Sequence, residues 1–343
     1  MKKTILVTGG TGFIGSHTTV ELQAAGYEVV IIDNLSNSKA EVVEGIEKIS
    51  GVRPAFEEVD CCDLPALEGV FQKYPGIEGI IHFAASKAVG ESVEQPLKYY
   101  ENNLLSLINL LKLMPKYNVK GIIFSSSCTV YGQPDAKDLP VSEQAPIKKA
   151  ESPYGNTKQV NEEIIQDFIH SGAPISAIIL RYFNPIGAHE CGDIGEDPTG
   201  IPNNLLPYVM QVAVGKLEKV NVFGNDFDTH DGTGVRDYIH VVDLARGHVA
   251  ALKKLEKGSG LSKYNLGTGI GYSVLDIIKS ASAAVGRDLP YVIAPRRAGD
   301  IAACYADATK AKEELGWEAE YDIKRMCEDS WRWQSKHPNG FAD

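Results

Sequence analysis

The feature that most constrains the fold is a glycine-rich turn near the start of the chain. A short apolar run at residues 4–7 has the length and composition of a buried strand. It leads into Thr8-Gly-Gly-Thr-Gly-Phe-Ile-Gly15, which contains the pattern Gly-x-Gly-x-x-Gly. A helical pattern then continues to Gly26, and residues 28–32 form the next apolar run. This order of strand, turn, helix and strand predicts a βαβ unit.

The spacing of the glycines in this turn indicates a phosphate-binding cradle. Glycines permit a tight turn, let backbone amides approach a pyrophosphate and let the helix pack closely on the sheet. The helix N-terminus adds partial positive charge. Asp33 ends the second strand at about the 20-residue separation expected of a residue that binds an adenosine ribose. Its carboxylate accepts from both ribose hydroxyls and repels a 2′-phosphate, so the pattern favours NAD over NADP. The alternative is an ordinary glycine turn.

Alternation of strands and helices continues through the first half of the chain. Strand-like runs recur at residues 79–83, 121–125 and 176–181, and helical patterns cover residues 104–113 and 160–169. Such alternation predicts an α/β fold, a Rossmann-type doubly wound parallel sheet with helices on both faces.

The composition of the sequence changes after Arg181. Residues 184–202 are rich in glycine and proline and read as a loop passage. We therefore expect an NAD-binding domain in residues 1–188. Later segments near residues 237–268 should return to this domain, and we call them the return segments. A smaller C-terminal substrate-binding domain should occupy residues 189–343, with the ligand cleft between the two.

Composition limits the partners of the chain. A formal net charge of −11 over 343 residues disfavours a nucleic-acid partner. No apolar stretch reaches the length of a membrane span, and the N-terminus lacks an adequate signal-peptide core, so we expect no membrane partner. The six cysteines show no zinc-ligand spacing. We read them as reduced thiols of a cytoplasmic protein without a metal site.

A second motif, Ser152-Pro-Tyr-Gly-Asn-Thr-Lys158, opens a predicted helix. Ser152 suits the helix cap and Pro153 the first helical position. Tyr154 and Lys158 are four residues apart, so their side chains share one helix face. A tyrosine has a reference pKa of about 10. A buried ammonium at ~4 Å in an effective dielectric of ~20 contributes about 4 kcal/mol, or roughly 3 pKa units. With the positive charge of an oxidised nicotinamide, this predicts a general base that works near neutral pH.

Alone, a tyrosine four residues before a lysine is more often a surface tyrosine beside a solvated lysine. The pair follows a dinucleotide fingerprint, however, and a serine-rich strand end, Phe124-Ser-Ser-Ser127. The carboxyl ends of the strands are where α/β folds bind ligands. This context favours the catalytic interpretation.

Together these motifs resemble the extended short-chain dehydrogenase/reductase family, and within it the sugar-nucleotide 4-epimerases. The resemblance extends over essentially the whole chain, with its longest matching segments at residues 7–16, 124–132, 181–189, 224–240 and 296–300. It implies reversible C4 epimerisation of UDP-galactose and UDP-glucose through a 4-keto intermediate with bound NAD. It also implies a homodimer, for which residues 104–113 and 160–169 are plausible faces.

The resemblance assigns catalytic and cofactor residues. Ser127, Tyr154 and Lys158 form the catalytic set: the phenolate of Tyr154 takes the proton of the sugar 4-hydroxyl, Ser127 orients that oxygen and Lys158 stabilises the phenolate. The implied NAD-binding residues are Gly9, Gly12, Phe13, Ile14, Gly15, Asp33, Asn34, Asn37, Ser38, Asp60, Cys61, Phe83, Ala84, Lys87, Asn102, Tyr154, Lys158 and Tyr182. The departures from the family pattern are small: Cys61, Cys128 and a slightly long loop at residues 133–151.

The resemblance also assigns the UDP-sugar contacts. Arg236 and Arg297 clamp the diphosphate with forked hydrogen bonds, and Asp300 accepts from the uridine ribose. The complete implied set is Ser127, Asn184, Asn204, Asn221, Val222, Phe223, Arg236, Arg297, Asp300 and Cys304. Asn204 faces the phosphates from a helix start, while residues 221–223 bracket uracil. Taken singly, an arginine is more often a solvated or stacked surface residue, and an asparagine is more often a turn former.

Cys304 carries the prediction of sugar specificity. The matching family position holds either a bulky tyrosine or a small cysteine, and the small residue leaves room for an acetamido group. The resemblance therefore implies activity toward UDP-GalNAc and UDP-GlcNAc as well. The alternative is a small packing residue without a selective role.

Two other functions are weighed against epimerisation. An NDP-sugar 4,6-dehydratase, which shares the first oxidation, needs a carboxylic acid after the active-site serine or threonine, but Cys128 and Thr129 stand there. A UDP-glucuronate decarboxylase is less favoured still. A non-enzymatic NAD- or nucleotide-sensing protein shares the fold, and the complete catalytic set disfavours it.

Overall fold

One large parallel sheet organises the chain. The computed structural model describes residues 2–258, 260–297 and 300–341. The strands of the large sheet are β1 (Thr4–Thr8), β2 (Glu28–Asp33), β3 (Ala55–Glu58), β4 (Ile77–His82), β5 (Gly121–Ser127), β6 (Ser176–Tyr182) and β10 (Leu261–Leu266). Their order across the sheet is β3-β2-β1-β4-β5-β6-β10, and every pairing is parallel.

This strand order brings the predicted site segments to one edge. The direction of winding reverses between β1 and β4, the point at which ligands bind in open α/β sheets. Register pairs Thr8 with Ile32 on one side and His82 on the other, and Ser127 with Tyr182. The carboxyl ends of five strands therefore meet along one rim.

Helices cover both faces of the sheet, as predicted. Helices α1 (Phe13–Ala24), α2 (Val42–Ser50) and α8 (Val241–Leu255) pack on one face. Helices α3 (Leu64–Lys73), α5 (Pro96–Lys116) and α6 (Pro153–His170) pack on the other, with the short α4 (Val89–Glu94) before α5. Alternate strand residues serve each core: Val7 lies in the first and Leu6 in the second. The predicted Rossmann-type doubly wound α/β fold is confirmed.

The remaining elements form smaller sheets with their own core. Strand β9 (Val235–His240) pairs antiparallel with β11 (Gly271–Ser273) and parallel with β7 (Asn184–Ile186) and β13 (Ala303–Cys304). Strand β8 (Val220–Phe223) pairs with β12 (Tyr291–Ala294). A third core joins helices α7 (Leu205–Ala213), α9 (Val274–Val285) and α11 (Ile323–Lys336). Helix α10 (Thr309–Leu315) packs against α8 and β10.

Two composition-based expectations concern the whole chain. In the described parts of the chain, no helix combines the length and apolar character that a membrane span requires. All six cysteines lie in described residues and are free thiols.

Candidate active site

Helix α6 begins as predicted and presents the tyrosine and lysine together. The Ser152 side chain caps the helix by accepting from the Gly155 amide at 3.2 Å, and Pro153 takes the first helical position. The Nζ atom of Lys158 lies 5.8 Å from the centre of the Tyr154 ring. It donates to the carbonyl oxygen of Ser125 at 2.7 Å. The two side chains therefore share one face of α6, directed at the end of β5.

Ser127 completes the catalytic group from the sheet side. It is the last residue of β5 and caps a short 3₁₀ turn, Cys128–Tyr131, where its Oγ accepts from the Thr129 amide at 3.2 Å. Its interaction with Tyr154 works to lower the pKa of that phenol. All three predicted catalytic side chains thus lie near one another at the carboxyl rim.

The ionisation of this group differs from the simple expectation of an ammonium acidifying a phenol. Burial raises the pKa of Tyr154 to about 12, although the interaction with Ser127 works to lower it. Burial lowers the pKa of Lys158 to about 7. Both charged forms lose hydration, so the protein's own groups do not acidify the phenol. The predicted fall in its pKa therefore depends on the cofactor cation that the expectation included.

At Gly9 and Gly15, the glycine turn leaves no room for a side chain. Gly12 caps α1, with Phe13 and Ile14 in the first turn of the helix. A Cβ on Gly15 would lie 2.2 Å from the carbonyl oxygen of Gly9, and one on Gly9 would lie 2.8 Å from the Ala84 amide nitrogen. Gly9 also has a φ of +68°, which side chains disfavour. These contacts form a close cradle at the N-terminus of α1 that fits a pyrophosphate.

A polar rim continues from the cradle along the end of β2. The Asp33 carboxylate accepts from the Thr11 amide at 3.3 Å and the Ser38 hydroxyl at 3.1 Å. The amide of the Asn34 side chain donates to Asp60 at 3.0 Å. Asn37 is exposed and Cys61 is buried in the second core. The carboxylate of Asp33 is thus placed beside the cradle, where ribose hydroxyls could reach it.

Further predicted cofactor residues follow the rim beyond β4. Phe83 comes directly after β4, and its ring centre lies 4.9 Å from that of His248. Lys87 forms an ion pair with Glu196 at 3.2 Å. The side-chain amide of Asn102 donates to the Ser86 hydroxyl at 3.3 Å.

Tyr182 has a buried partner that the sequence did not reveal. Its hydroxyl forms a short hydrogen bond with Nε2 of His248. The other ring nitrogen, Nδ1, lies 2.8 Å from the carbonyl oxygen of Leu244, which can only accept. Nδ1 therefore carries the proton, and Tyr182 donates to Nε2. In the sequence, His248 is a single histidine on an apolar helix face, and nothing local indicates that it binds Tyr182.

The predicted diphosphate and ribose residues also meet. Arg297 and Asp300 form a two-pronged ion pair, with Nε–Oδ2 at 3.0 Å and Nη2–Oδ1 at 3.2 Å. The Arg297 guanidinium lies 4.7 Å from the centre of the Phe223 ring. Arg236, on β9, donates to the Val235 carbonyl at 2.8 Å. Ala298 and Gly299, which complete this sequence motif, lie outside the described residues.

The side chains of the predicted uracil-binding segment alternate in burial. Val222 lies in the third core with its side chain fully buried, while Asn221 and Phe223 on either side are half-buried. Successive strand residues face opposite ways, so the side chain of Val222 points into the core rather than toward a ligand. Its main chain alone remains available to bracket uracil.

Two asparagines of the predicted set lie at the borders of elements. Asn184 begins β7 and is half-buried. Asn204 occupies the cap position of α7, as predicted, but its side chain makes no capping hydrogen bond and donates to Glu196 at 2.9 Å. Glu196, which the sequence did not single out, therefore joins Lys87 to Asn204.

Cys304 lies next to the catalytic segment. It is buried in a small apolar cluster with Val130, Tyr131 and Phe183, and Cys128 packs against the same cluster. The interaction with Cys128 raises the pKa of the Cys304 thiol. The residue predicted to set sugar specificity is therefore in contact with the residue that follows Ser127.

Comparison with known proteins identifies the family. A model of the NAD dependent epimerase/dehydratase family matches residues 5–267. The chain belongs to the NAD dependent epimerase/dehydratase family. The family match begins in β1 and ends one residue beyond β10, so it spans the entire large sheet.

Individual members of the NAD dependent epimerase/dehydratase family resemble the chain over its full length. It is 57% identical over 337 residues to UDP-glucose 4-epimerase of Bacillus subtilis, covering 98% of each chain. It is 53% identical over 348 residues to UDP-glucose 4-epimerase of Homo sapiens, covering 100% of this chain and 99% of the relative. The crystal structure of UDP-glucose 4-epimerase from Bifidobacterium longum in complex with NAD+ and UDP superposes with a TM-score of 0.95. That protein is 54% identical, and the match covers 98% of this chain and 100% of the other. The predicted resemblance to sugar-nucleotide 4-epimerases is confirmed.

Proposed function

We propose that the chain catalyses the reversible C4 epimerisation of UDP-galactose and UDP-glucose through a 4-keto intermediate, with NAD as a bound cofactor. The observation that carries this function is the grouping of Ser127, Tyr154 and Lys158 at the carboxyl rim of the sheet that also holds the glycine cradle. Relatives at 53% to 57% identity over the full chain are UDP-glucose 4-epimerases.

The cradle and its rim fit NAD. Gly9 and Gly15 leave room for backbone alone, as close approach to a pyrophosphate requires, and Asp33 supplies an acceptor for ribose hydroxyls. Lys158 and Tyr182 lie where the rim meets the catalytic group. When bound, NAD supplies the acceptor and donor of hydride for the sugar carbon.

The chain's own residues handle the proton and the developing charge. Tyr154 takes the proton of the 4-hydroxyl and later returns it, as a general base and then a general acid. Ser127, which interacts with Tyr154, orients the reacting oxygen. Lys158 stabilises the phenolate through its field, because its hydrogen bond goes to the main chain at Ser125.

Inversion requires that the keto sugar turn while its nucleotide stays fixed. Arg236 and Arg297 provide the two guanidinium groups for the diphosphate end. Arg297 already lies against Phe223 and Asp300, so one cluster holds candidates for phosphate, uracil and ribose contacts. The sugar end has no comparable charged anchor in the proposed set, which suits rotation.

The same site disfavours the dehydratase alternative. Cys128 and Thr129 follow Ser127 in the 3₁₀ turn. Asp237, a neighbouring carboxylate that interacts with Cys128, accepts from the amides of Thr268, Gly269 and Ala306 and so holds the backbone together. Elimination of water needs a free carboxylic acid close to the reacting sugar.

A coupled assay tests the proposed function. The purified protein is incubated with UDP-galactose without added NAD and is then removed. The UDP-glucose formed is measured in a second step with a UDP-glucose-specific dehydrogenase and its own NAD. We expect UDP-glucose to form in the first step, and bound NAD to be released when the protein is denatured. Formation of a 4-keto-6-deoxy sugar would indicate a dehydratase. Binding of UDP-sugar without product or change in the reduced-nicotinamide absorbance band would indicate a sensor.

We propose the predicted division of labour within the chain as well. Residues 1–188, with return segments near residues 237–268, bind NAD, and residues 189–343 bind the UDP-sugar. The packing of α8 against α1 and the place of β10 in the large sheet support the return segments.

We further propose a cytoplasmic homodimer. Free thiols throughout support a reducing compartment. Exposed apolar side chains beside the first turns of α5, at Val89, Val93 and Leu97, support a partner near the α5–α6 pair. Light scattering of the purified protein tests the dimer, and a Leu97→Lys variant should weaken it.

A further inference from the structure

An acidic residue lies one helical turn beyond the proposed catalytic lysine. Tyr154, Lys158 and Glu162 follow one another at intervals of four along α6, so they share one face. Glu162 is only 5% exposed, which is rare for glutamate unless it is paired. The catalytic proposal gives this carboxylate no task.

A fixed set of donors holds the carboxylate. Arg181 donates from Nε to Oε1 at 2.9 Å and from Nη2 to Oε2 at 2.6 Å. The Ser126 hydroxyl donates to Oε1 at 2.6 Å, and the Lys263 ammonium lies 3.2 Å from Oε2. Both carboxylate oxygens are therefore occupied, and a paired arginine fork permits little rotation.

Arg181 is itself locked in place. It is 1% exposed and donates from Nη1 to the Tyr131 hydroxyl at 2.9 Å. Tyr131 in turn donates to the Asn265 side chain at 2.6 Å. The carboxylate of Glu162 thus stands on a buried frame that links α6, β6 and β10.

Strand β5 connects this frame to the catalytic group. Its consecutive residues Ser125 and Ser126 bind Lys158 and Glu162, respectively. The first accepts from the lysine through its carbonyl oxygen, and the second donates to the glutamate through its hydroxyl. One strand end therefore sets the spacing between the two charged side chains.

Lys158 is buried, so a fixed negative charge nearby stabilises its ammonium form. Burial lowers the pKa of Lys158 to about 7, and the charge of Glu162 opposes that shift. Among the described residues, His82 also interacts with the ammonium, but burial lowers the pKa of His82 to about 3 and so keeps it neutral. The ring centres of Phe124 and Tyr154 lie 5.0 Å and 5.8 Å from the ammonium. Burial alone would raise the pKa of Glu162, but hydrogen bonds from Arg181 and Ser126 bring it below its usual value.

We propose that Glu162 is a positioning residue for the epimerisation: its carboxylate, fixed by Arg181 and Ser126, keeps the side chain of Lys158 in the ammonium form beside Tyr154. This inference rests on the proposed function. Glu162 acts through Lys158, so the proposal requires no contact between Glu162 and either NAD or the UDP-sugar.

Two variants test the proposal in opposite directions. Glu162→Gln keeps the shape and removes the charge, so Lys158 should lose its proton at a pH lower by about one unit or more. Lys263→Met removes a cation that lies 3.2 Å from Glu162 and partly offsets its charge, and the Lys263 side chain on β10 is partly exposed, at 28%. That variant should hold the Lys158 proton to a higher pH than the unaltered protein.

The direct measurement is the titration of Lys158 itself. Protein labelled with ¹³C at lysine Cε is titrated by NMR, and the Lys158 resonance is assigned by its loss in Lys158→Met. Opposite shifts in the two variants support the proposal. An unmoved Lys158 titration in Glu162→Gln overturns it. If Glu162→Gln does not fold, an unmoved titration in Lys263→Met overturns it.

The pH dependence of epimerisation provides the second readout. An ammonium that aids catalysis is present below its pKa and lost above it. Glu162→Gln should therefore approach normal turnover at low pH and lose it early as pH rises. A uniform loss at every pH would show a structural role only and would contradict the proposal. Absence of epimerase activity in the unaltered protein, with the NMR shifts intact, would reject the proposed function but not the ionic coupling.

Discussion

Lys158 lies beside Tyr154, but the hydrogen bond that its ammonium donates goes to Ser125 and not to Tyr154. The ammonium lies 5.8 Å from the centre of the tyrosine ring and donates to the Ser125 carbonyl at 2.7 Å. The lysine therefore acts on the phenol through space, and its influence depends on how much charge it carries at a given pH.

Removal of the Tyr154 hydroxyl tests the assignment of the base. Tyr154→Phe should lower the turnover of UDP-galactose by about 10²- to 10⁴-fold, the usual contribution of a general acid–base group. The bound NAD content, measured after denaturation, should stay unchanged. Tyr27→Phe makes the same change at an exposed hydroxyl that donates to Glu256 at 3.1 Å and should leave turnover intact. Near-normal activity of Tyr154→Phe would refute the assignment.

The close packing at Gly15 makes a prediction about cofactor retention. Gly15→Ala places a Cβ 2.2 Å from the carbonyl oxygen of Gly9, so the turn must open. We expect loss of bound NAD and a lower melting temperature. Gly69→Ala, inside α3, is the matched control, because among the described residues a Cβ there would meet nothing within 4 Å beyond the backbone of its own helix. That control should be neutral or stabilise the helix by up to about 1 kcal/mol. Full NAD occupancy in Gly15→Ala would contradict the cradle.

The size of residue 304 makes a prediction about sugar choice. We expect the unaltered protein to turn over UDP-GlcNAc, and Cys304→Tyr to reduce that activity at least about tenfold more than activity on UDP-glucose. Because Cys304 is buried beside Tyr131 and Phe183, the larger side chain should also destabilise the fold by about 1–3 kcal/mol. Cys304→Ala, which keeps the space, should retain both activities. Turnover of UDP-GlcNAc by Cys304→Tyr at the original rate would argue against the steric explanation.

Buried histidines make a prediction about acid stability. Burial lowers the pKa of His17 and His82 to about 3 and that of His248 to about 4. Their unfolded pKa is about 6.5, so below that pH the unfolded chain binds more protons and stability falls until the folded pKa is reached. Each histidine adds a slope of up to about 1.4 kcal/mol per pH unit.

Denaturant unfolding at several pH values between 7 and 4 measures this slope. His17 is suited to substitution, because its Nε2 has no hydrogen-bond partner among the described residues. His17→Met should flatten the fall in unfolding free energy. His170→Gln, at the exposed end of α6, should leave the slope unchanged. An equal slope in His17→Met would remove this histidine from the explanation.

The sequence predicts the large sheet well because its strands are short apolar runs bounded by turns. Five strands lie within one or two residues of their predicted positions, and α6 begins at the predicted cap. The two edge strands, β3 and β10, were not predicted as strands, although β10 lies within the predicted segments near residues 237–268. In β3, the sequence Ala-Phe-Glu-Glu carries only one large apolar residue. Edge strands bury less surface and so show weaker patterning.

Partners across long sequence distances were beyond prediction. Tyr182 pairs with His248, and Glu162 pairs with Arg181. Both pairings depend on which helix packs against which strand, and no local sequence pattern determines that packing. The buried side chain of Val222 shows the same limit: a three-residue segment was predicted to line a site, but strand alternation sends its middle residue inward. The interval between Lys158 and Glu162 was available as a spacing, yet only the fold shows that the glutamate is buried.

Strand β10 joins β6 only after an excursion of nearly eighty residues. During synthesis on the ribosome, the first six strands emerge well before the seventh, so β6 is an open edge until residue 266 has left the exit tunnel. Truncation before residue 261 should therefore yield an aggregation-prone fragment rather than a smaller folded unit. Chaperone demand during translation follows from the order of the strands.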